Sequence, residues 1–497
     1  MAKFSSCFGR YCSYRWKLCY ICSIAIFLLQ TMRVDLSMAF VCMLKTPNRT
    51  ANDANNTQST QQCSGLDTHN QSSHETYNGD ITWSNNLQAN VLAGYYYGYI
   101  LTNILGGILA DKYGAKNILG FSLVSASALT LLYPSLSRIS GYFTLVLRIL
   151  TGLVSGPMFP TVQSLFGRWA PPLESSTLIG LVCSGQLIGS IVCYSISGFL
   201  CVYGFDNGWG SIFYIFGGMS LLFSSAWFYF VYDRPELHPS LGQEERSYLN
   251  KTVRCKSRVK NIPWKNIWSS SAVWAIVVAH TCYNWTDLTL TLLLPLYMKE
   301  ALNVETESNG LMSSAPWIGQ AISLPLFGRL ADFIRSKNCL STRSIRVLFQ
   351  TVCFVFSAIL FISVGFLKCD QVPLAGFLFL FSGVIWSLYI GGFNVNHVDI
   401  APKYAGVLYG ITNTFSSLPG FVAPITARIL TPNGTQKEWQ IVLALCAGFS
   451  VLGAIVYAIM AKGEIQDWAK YEDSSINERE SLKLKEGRAI DGDCETV

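Results

Sequence analysis

Seven ionisable side chains stand in apolar surroundings along this sequence: Arg33, Asp35, Arg148, His280, Asp287, His397 and Asp399. The stretch "LRILTGLVSGPMFP", residues 147–160, holds a single charge, Arg148. One and two helical turns further on, the same face presents Thr151 and Ser155, so no acid meets the guanidinium there. A guanidinium in hydrocarbon costs several kcal/mol and is normally matched by an acid. Left unmatched, its planar fork suits a carboxylate, both of whose oxygens it can bind. Arg33 and Asp35 are two residues apart and cannot face each other on one helix. The expectation is therefore that the acid for Arg148 is supplied by a bound anion. His397-x-Asp399 brings two potential metal ligands without a third, too few for a metal site. A hydrogen-bonded helix end near a cytosolic gate is the favoured reading, with Asn394 and Asn396 just above it able to bond substrate hydroxyls. No nucleophile or metal constellation suggests an enzyme, and no cofactor is called for beyond a coupling ion, H+ or Na+.

These residues need helices in a membrane to hold them. Of 497 residues, 51% are hydrophobic and only 13% charged, with a mean hydropathy of +0.33; soluble domains carry about 25% charged residues. Each crossing needs about 20 apolar residues. Twelve such runs are read, at 18–44, 87–110, 117–136, 142–166, 177–203, 208–232, 269–296, 309–328, 347–367, 373–397, 404–427 and 439–461. The first is too long for a signal-peptide core and has no cleavage site after it. The net charge of +6 is no nucleic-acid signal, because the cations sort by side. Lys3, Arg10, Arg15 and Lys17 precede the first run, and eight Lys or Arg from Arg234 to Lys265 crowd the link at 233–268. By the positive-inside rule the link, the N-terminus at 1–17 and the tail at 463–497 are cytoplasmic. The loop at 45–83 then faces the lumen or exterior, where its sequons at Asn48, Asn55 and Asn70 can be glycosylated. Most cysteines lie within the runs as small apolar fillers, Cys19 and Cys22 included. Cys63, Cys201 and Cys369 fall on the outer side, and the sequence leaves their pairing open.

Depth brings the two arginines together. At 1.5 Å per residue, Arg33 lies about 8 Å below the outer face of a core about 30 Å thick, and Arg148 about 9 Å below it. The ionisable residues sit on the first, fourth, seventh and tenth runs, as expected for three-helix units around one polar cavity. The competing reading is that they clamp helices to one another.

The link divides the chain into a half at 18–232 and a half at 269–462. "GGILADKYGAK" at 106–116 and "FGRLADFIRSK" at 327–337 align with Gly107 and Gly328, Asp111 and Asp332, and Lys116 and Lys337 each 221 residues apart. This repeated loop resembles the signature of the major facilitator superfamily. The resemblance implies an all-α, twelve-helix fold of two six-helix halves, with Asp111, Lys116, Asp332 and Lys337 as gating contacts.

"WAPPLESS", "VWAIVVAHTCYNWTDLTLTLLLPLYMKEAL", "GFNVNHVDIAPKYAGVLYGITNTFSSLPG" and the stretch ending "AKGEIQDWA" resemble the anion/cation symporter family, over roughly 17–470 and most strongly its sialin branch. That resemblance implies proton-coupled transport of sialic acid, acidic sugars or acidic amino acids in a lysosomal or vesicle membrane. Arg33 and Arg148 match the arginines that recognise the substrate carboxylate. The absence of an acidic dileucine signal from the N-terminal tip leaves the plasma membrane open. Two departures bear on mechanism. The sialin branch has glutamates where this chain has Thr151 and Ser155, so the titratable group is lost or moved; Asp287 or Asp35 is expected to replace it. The competing reading is that Asp287 neutralises an arginine permanently and sodium or voltage drives transport, as for a phosphate or organic-anion carrier. The vesicular glutamate branch has a histidine where this chain has Leu92 and an arginine at Tyr283, which makes glutamate or aspartate loading a weaker alternative and Tyr283 a substrate contact. The expected partners are a small anion and the lipid bilayer, with no nucleic acid, and the chain is read as a monomer.

Overall fold

The computed structural model describes residues 13–45, 79–171, 175–239, 241–252, 262–337 and 340–470. The sequons at Asn48, Asn55 and Asn70, and Cys63, lie outside the described residues. The first half contains α1 (Tyr14–Met43), α2 (Asn85–Tyr113), α3 (Ala115–Ile139), α4 (Gly141–Ser155), α5 (Met158–Trp169), α6 (Ser175–Tyr203) and α7 (Trp209–Phe230). The link contributes α8 (Gln243–Thr252) and α9 (Trp264–Trp268). The second half contains α10 (Ser271–Glu300), α11 (Thr306–Ser336), α12 (Thr342–Gly365) and α13 (Val372–Trp386). It continues with α14 (Phe393–Ile400), α15 (Ala405–Ser416), α16 (Pro419–Leu430) and α17 (Gln436–Met460). Among the described residues the only β pairing is a bridge between Leu44 and Ile81, where the outer loop closes.

Among the described residues, eight stretches are long and apolar enough on composition alone to cross a bilayer. The remaining segments of similar length, α2, α10, α11 and α15 with α16, carry more polar side chains. The polarity has a structural use, because α2, α10, α11 and α16 line the seam between the halves.

Helix starts follow from side-chain caps. Ser84 accepts from Leu87 N at 3.4 Å, Ser341 from Ser344 N at 3.2 Å, and Thr435 and Glu438 form a capping box, each satisfying amides that have no partner in the first turn. Three crossings are broken. Gly156-Pro157 separates α4 from α5, Gly391-Gly392 interrupts the stretch from α13 to α14, and Pro419 begins α16. Proline lacks the amide a continuous helix requires. At the loop between α2 and α3, Gly114 takes φ +89°, which an L side chain rarely adopts.

Small residues set the helix crossings that position the site. A Cβ on Gly98 would lie 2.0 Å from the Ile149 carbonyl oxygen, and one on Gly152 would lie 1.8 Å from that of Tyr95. The α2 and α4 backbones therefore touch through Gly94-xxx-Gly98 and Gly152-xxx-Gly156, the small-residue route to close packing in lipid. The second half repeats the device, with Gly383 against Pro316 and Gly319 against Leu380.

The halves meet toward their outer ends. Ser37 donates to the Leu292 carbonyl at 2.8 Å, Asn85 to that of Pro432 at 2.8 Å, and Lys299 to that of Val41. Arg428 donates to Gln88 at 2.7 Å and to Glu300 at 2.9 Å. At the crossing of α6 and α11, Gly198 and Gly310 pack backbone to backbone. The molecule is thus sealed on its outer side. Cys42 and Cys201 form a disulfide that joins α1 to α6 at that end. Cys201 was read as an outer-side thiol; its partner is Cys42, which the sequence places inside the first apolar run.

Candidate substrate site

Arg148 and Asp35 lie on different helices and form an ion pair, Nη2 to Oδ1, at 3.2 Å, with both side chains buried. Arg148 Nη1 also reaches the carbonyls of Met32 and Arg33, at 3.3 and 3.4 Å, and its guanidinium lies 5.4 Å from the Tyr133 ring centre. This corrects the expectation that Arg148 lacks a protein acid. The i, i+2 rule separates Asp35 from Arg33 on α1, but the Arg148 side chain reaches from α4 to the Asp35 carboxylate and to the Met32 and Arg33 carbonyls of α1. Asp35 Oδ1 accepts a second bond from Leu36 N at 2.6 Å, while Oδ2 is buried with no partner.

Arg33 points the other way. Its Nη2 donates to the Tyr96 hydroxyl at 2.7 Å, and the rings of Tyr95, Tyr96 and Tyr99 surround the guanidinium at 5.6, 5.2 and 5.8 Å. Its Nε is buried without a partner. Stacked cation–π contacts stabilise a desolvated guanidinium by about 2 kcal/mol or more and leave its edge N–H groups free for an anion. These tyrosines were missed in the sequence, although the run "YYYGY" at 95–99 was visible.

Asp287 approaches from α10 in the second half. Arg33 is the charge that acts most strongly on it, and it lies within electrostatic reach of Tyr96, Tyr194 and Tyr283. A cation of one half and a carboxylate of the other thus face each other across the seam. Gly420, at the start of α16, sits against Tyr96 so closely that a Cβ there would lie 2.2 Å from the ring.

The other expected residues are distributed as follows. Tyr283 accepts from Gln320 Nε2 at 3.1 Å and packs 4.7 Å from the Tyr389 ring. Asn394 is half-buried, and its carbonyl contacts His397 Nδ1 at 3.0 Å. Asn396 turns toward the last helix and donates to Tyr457 at 2.9 Å, leaving its Oδ1 buried and unpartnered. Asp399 is held by Arg346 at 2.7 Å and by Arg335 at 3.5 Å, an ion-pair cluster that ties together the inner ends of α11, α12 and α14. Lys116 takes a bond from its backbone amide to Asp233 at 2.7 Å and sets its ammonium 4.8 Å from the Tyr232 ring. Asp332 and Lys337 are exposed, Lys337 with its ammonium 5.4 Å from the Phe333 ring; the Asp111 side chain lies outside the described residues. No cluster of three metal-ligating side chains occurs among the described residues.

Two halves of six crossings, glycine-packed and meeting over a buried cation, define a transporter of the alternating-access type. The sequence profile of the Major Facilitator Superfamily matches residues 22–424. Among solved structures, a bacterial homologue of the human lysosomal transporter Spinster, in an inward-facing conformation, aligns with a TM-score of 0.66 at 12% identity over 90% of this chain and 97% of its own. A D-xylose–proton symporter aligns with a TM-score of 0.61 at 15% identity over 91% of this chain and 99% of its own. At such identities the likeness is one of fold.

Sequence relatives narrow the class. Sialin of Homo sapiens is 37% identical over 92% of this chain and 91% of its own length. Vesicular glutamate transporter 1 of Bos taurus is 35% identical over 80% of this chain and 71% of its own. The chain belongs to the major facilitator superfamily and, within it, to the anion/cation symporter family of sialin and the vesicular glutamate transporters. It is a multi-pass membrane transporter and not an enzyme.

Proposed function

We propose that this chain is a secondary transporter of organic anions in which Arg33 is the primary receptor for the substrate carboxylate. The observation that carries the reading is the contrast between the two arginines, Arg148 buried and Arg33 partly buried. Arg148 already has the Asp35 carboxylate at 3.2 Å, whereas Arg33 donates to a tyrosine hydroxyl amid three tyrosine rings, with Asp287 of the other half in electrostatic reach but not paired with it. A low-dielectric site strengthens both its attraction for an anion and the penalty for leaving it unpaired. Sialic acid, acidic sugars and acidic amino acids are the candidate substrates, and a lysosomal or vesicle membrane is the expected location.

Proton coupling is assigned to Asp35 and Asp287, the carboxylates that stand by the two arginines where Thr151 and Ser155 cannot titrate. A proton on Asp35 removes the acid from Arg148 and frees that guanidinium for the same anion, so one proton and one anion enter together. A second reading, sodium- or voltage-driven transport of phosphate or organic anions, takes the Asp35–Arg148 pair as permanent. The functional unit is read as one chain, since a single polypeptide supplies both faces of the seam.

The test is uptake of labelled sialic acid, glutamate, aspartate, phosphate and urate into proteoliposomes under separate proton, sodium and voltage gradients. Arg33→Gln is expected to abolish uptake of whichever anion the wild type carries. Unchanged anion flux in that variant would refute the assignment.

A further inference from the structure

Three side chains of the second half form a buried chain that the proposed substrate site does not use. His280 Nδ1 on α10 lies 3.2 Å from Thr412 Oγ1 on α15, and His397 Nε2 on α14 lies 2.9 Å from the same oxygen. His280 and His397 are 6% and 2% exposed, and Thr412 is fully buried. Two imidazoles from separate helices therefore share one hydroxyl. Thr412 also contacts the Tyr409 carbonyl of its own helix at 3.1 Å.

Donor and acceptor rules set the direction of this chain. His397 Nδ1 faces the Asn394 carbonyl at 3.0 Å; a carbonyl only accepts, so Nδ1 carries hydrogen. In a neutral ring Nε2 then holds the lone pair and accepts from the Thr412 hydroxyl. Thr412 has one hydrogen, so its contact with His280 runs the other way, from Nδ1–H to Oγ1. When His397 is protonated, its Nε2–H donates to Oγ1 and the Thr412 hydrogen turns to the Tyr409 carbonyl. Both states keep Thr412 Oγ1 and both ring nitrogens of His397 bonded, which removes the usual cost of orphaning them on burial.

The chain continues the proposed site. His280, Tyr283, Asn284 and Asp287 fall at i, i+3, i+4 and i+7 on α10, one face of the helix. His280 stands about 10 Å nearer the cytoplasm than Asp287 at 1.5 Å per residue. His397 lies beyond it, three residues before the end of α14 at Ile400. We propose that His280, Thr412 and His397 form a proton relay that carries the coupled proton from the anion chamber to the cytoplasmic side. This rests on the proton-coupled reading above.

The step balances. A proton arriving on His280 Nε2 makes an imidazolium; its Nδ1–H passes to Thr412 Oγ1 as the Oγ1 hydrogen passes to His397 Nε2. His397 then loses its Nδ1 proton toward the cytoplasmic end of α14 once its bond to the Asn394 carbonyl opens, and rotation of the two rings resets the chain. The other titratable groups facing these rings are Tyr409 of α15, whose ring lies 6.0 Å from His280 and 5.6 Å from His397, and, beside Tyr409, Tyr99 of α2 and Cys183 of α6. Asp399 is engaged by Arg346 and Arg335.

The experiment uses the full-length protein in proteoliposomes, with the first anion of the panel that the wild type exchanges. Two signals are read for wild type, Thr412→Val, Thr412→Ser and His397→Gln: accumulation driven by an imposed pH gradient, and counterflow of labelled against unlabelled anion at equal pH. Thr412→Val and His397→Gln are expected to lose at least tenfold of the driven accumulation and to keep counterflow within twofold. Thr412→Ser, which retains the hydroxyl, is expected to behave as wild type. Driven accumulation in Thr412→Val equal to wild type overturns the relay alone, as does loss of counterflow in that variant. Wild-type counterflow with no response to a pH gradient overturns proton coupling and the relay together. An anion panel that the wild type does not exchange at all overturns the transport reading beneath both.

Discussion

Asp35 on the first helix holds Arg148 on the fourth crossing at 3.2 Å, and both side chains are removed from solvent. Arg33, two residues from Asp35, turns to the tyrosines of α2 instead. One helix thus supplies the acid that occupies one arginine and the arginine that stays available.

Asp35→Asn leaves Arg148 as a buried cation without its counter-charge. Breaking a buried pair in this way costs about 3–5 kcal/mol, so the detergent-solubilised variant is expected to melt several degrees below wild type. An anion that enters the chamber replaces the lost carboxylate. A saturating substrate anion should therefore raise the melting temperature of Asp35→Asn more than that of wild type; equal ligand shifts would show that Arg148 does not reach the anion.

Tyr96→Phe keeps the ring beneath Arg33 and removes the hydroxyl that accepts from it at 2.7 Å. Hydrogen bonds to charged groups contribute about 1.5–3 kcal/mol, and part of that is regained when the anion binds. We expect KM for the anion to rise several-fold with little change in maximal flux, measured as concentration-dependent uptake. An unaltered KM would mean that Tyr96 does not orient Arg33.

Gly420→Ala puts a methyl group 2.2 Å from the Tyr96 ring in the outer-sealed arrangement. The ring is locked between Arg33 and α16, so the clash must be relieved by parting the halves on the outer side. Single cysteines introduced at the outer ends of α2 and α16 should react faster with a membrane-impermeant thiol reagent in this variant than in the Gly420 background. Identical rates would refute the clash as a conformational determinant.

Cys201→Ser removes the bond from α1 to α6. Native disulfides stabilise by about 2–4 kcal/mol, mainly by restricting the unfolded chain, and the closed loop here spans 159 residues. The melting temperature should fall, and added reductant should lower the wild type to the level of the variant while leaving the variant unmoved.

The cytoplasmic link is pinned to the start of α1 near a histidine. The Tyr14 ring lies 3.8 Å from that of His238, and Glu245 accepts from Tyr14 N at 3.0 Å and pairs with Arg15 at 3.2 Å. Burial, with Arg246 nearby, holds the His238 imidazole below its ordinary value of about 6.5, against an opposing pull from Glu245. A depressed histidine favours the folded form while neutral. The anchor is therefore at full strength above about pH 6.5 and loosens as pH falls below it. Amide exchange in residues 235–252 should accelerate between pH 7.5 and 5.5, and His238→Asn should flatten that dependence.

Class and the two-half plan could be read in the sequence, because hydrophobic length and a loop repeated 221 residues apart are one-dimensional quantities. The shared level of Arg33 and Arg148 followed as well, since depth along a helix depends only on residue count. What the residues themselves left open was which side chain meets which across helices. Asp35 was excluded as a partner for Arg33 by helix periodicity, yet nothing in the chain order says that Arg148 of α4 reaches that carboxylate on α1. That reach depends on where α4 is seated, and α4 is seated against α2 by glycines in backbone contact. The same limit hid the Cys42–Cys201 bond, whose first cysteine looked like filler within an apolar run, and the role of Thr412, an ordinary hydroxyl until two histidines from other helices close on it. Periodicity and hydropathy are local, whereas pairing depends on the azimuth and crossing of helices far apart in the chain, and those are decided only when the halves pack.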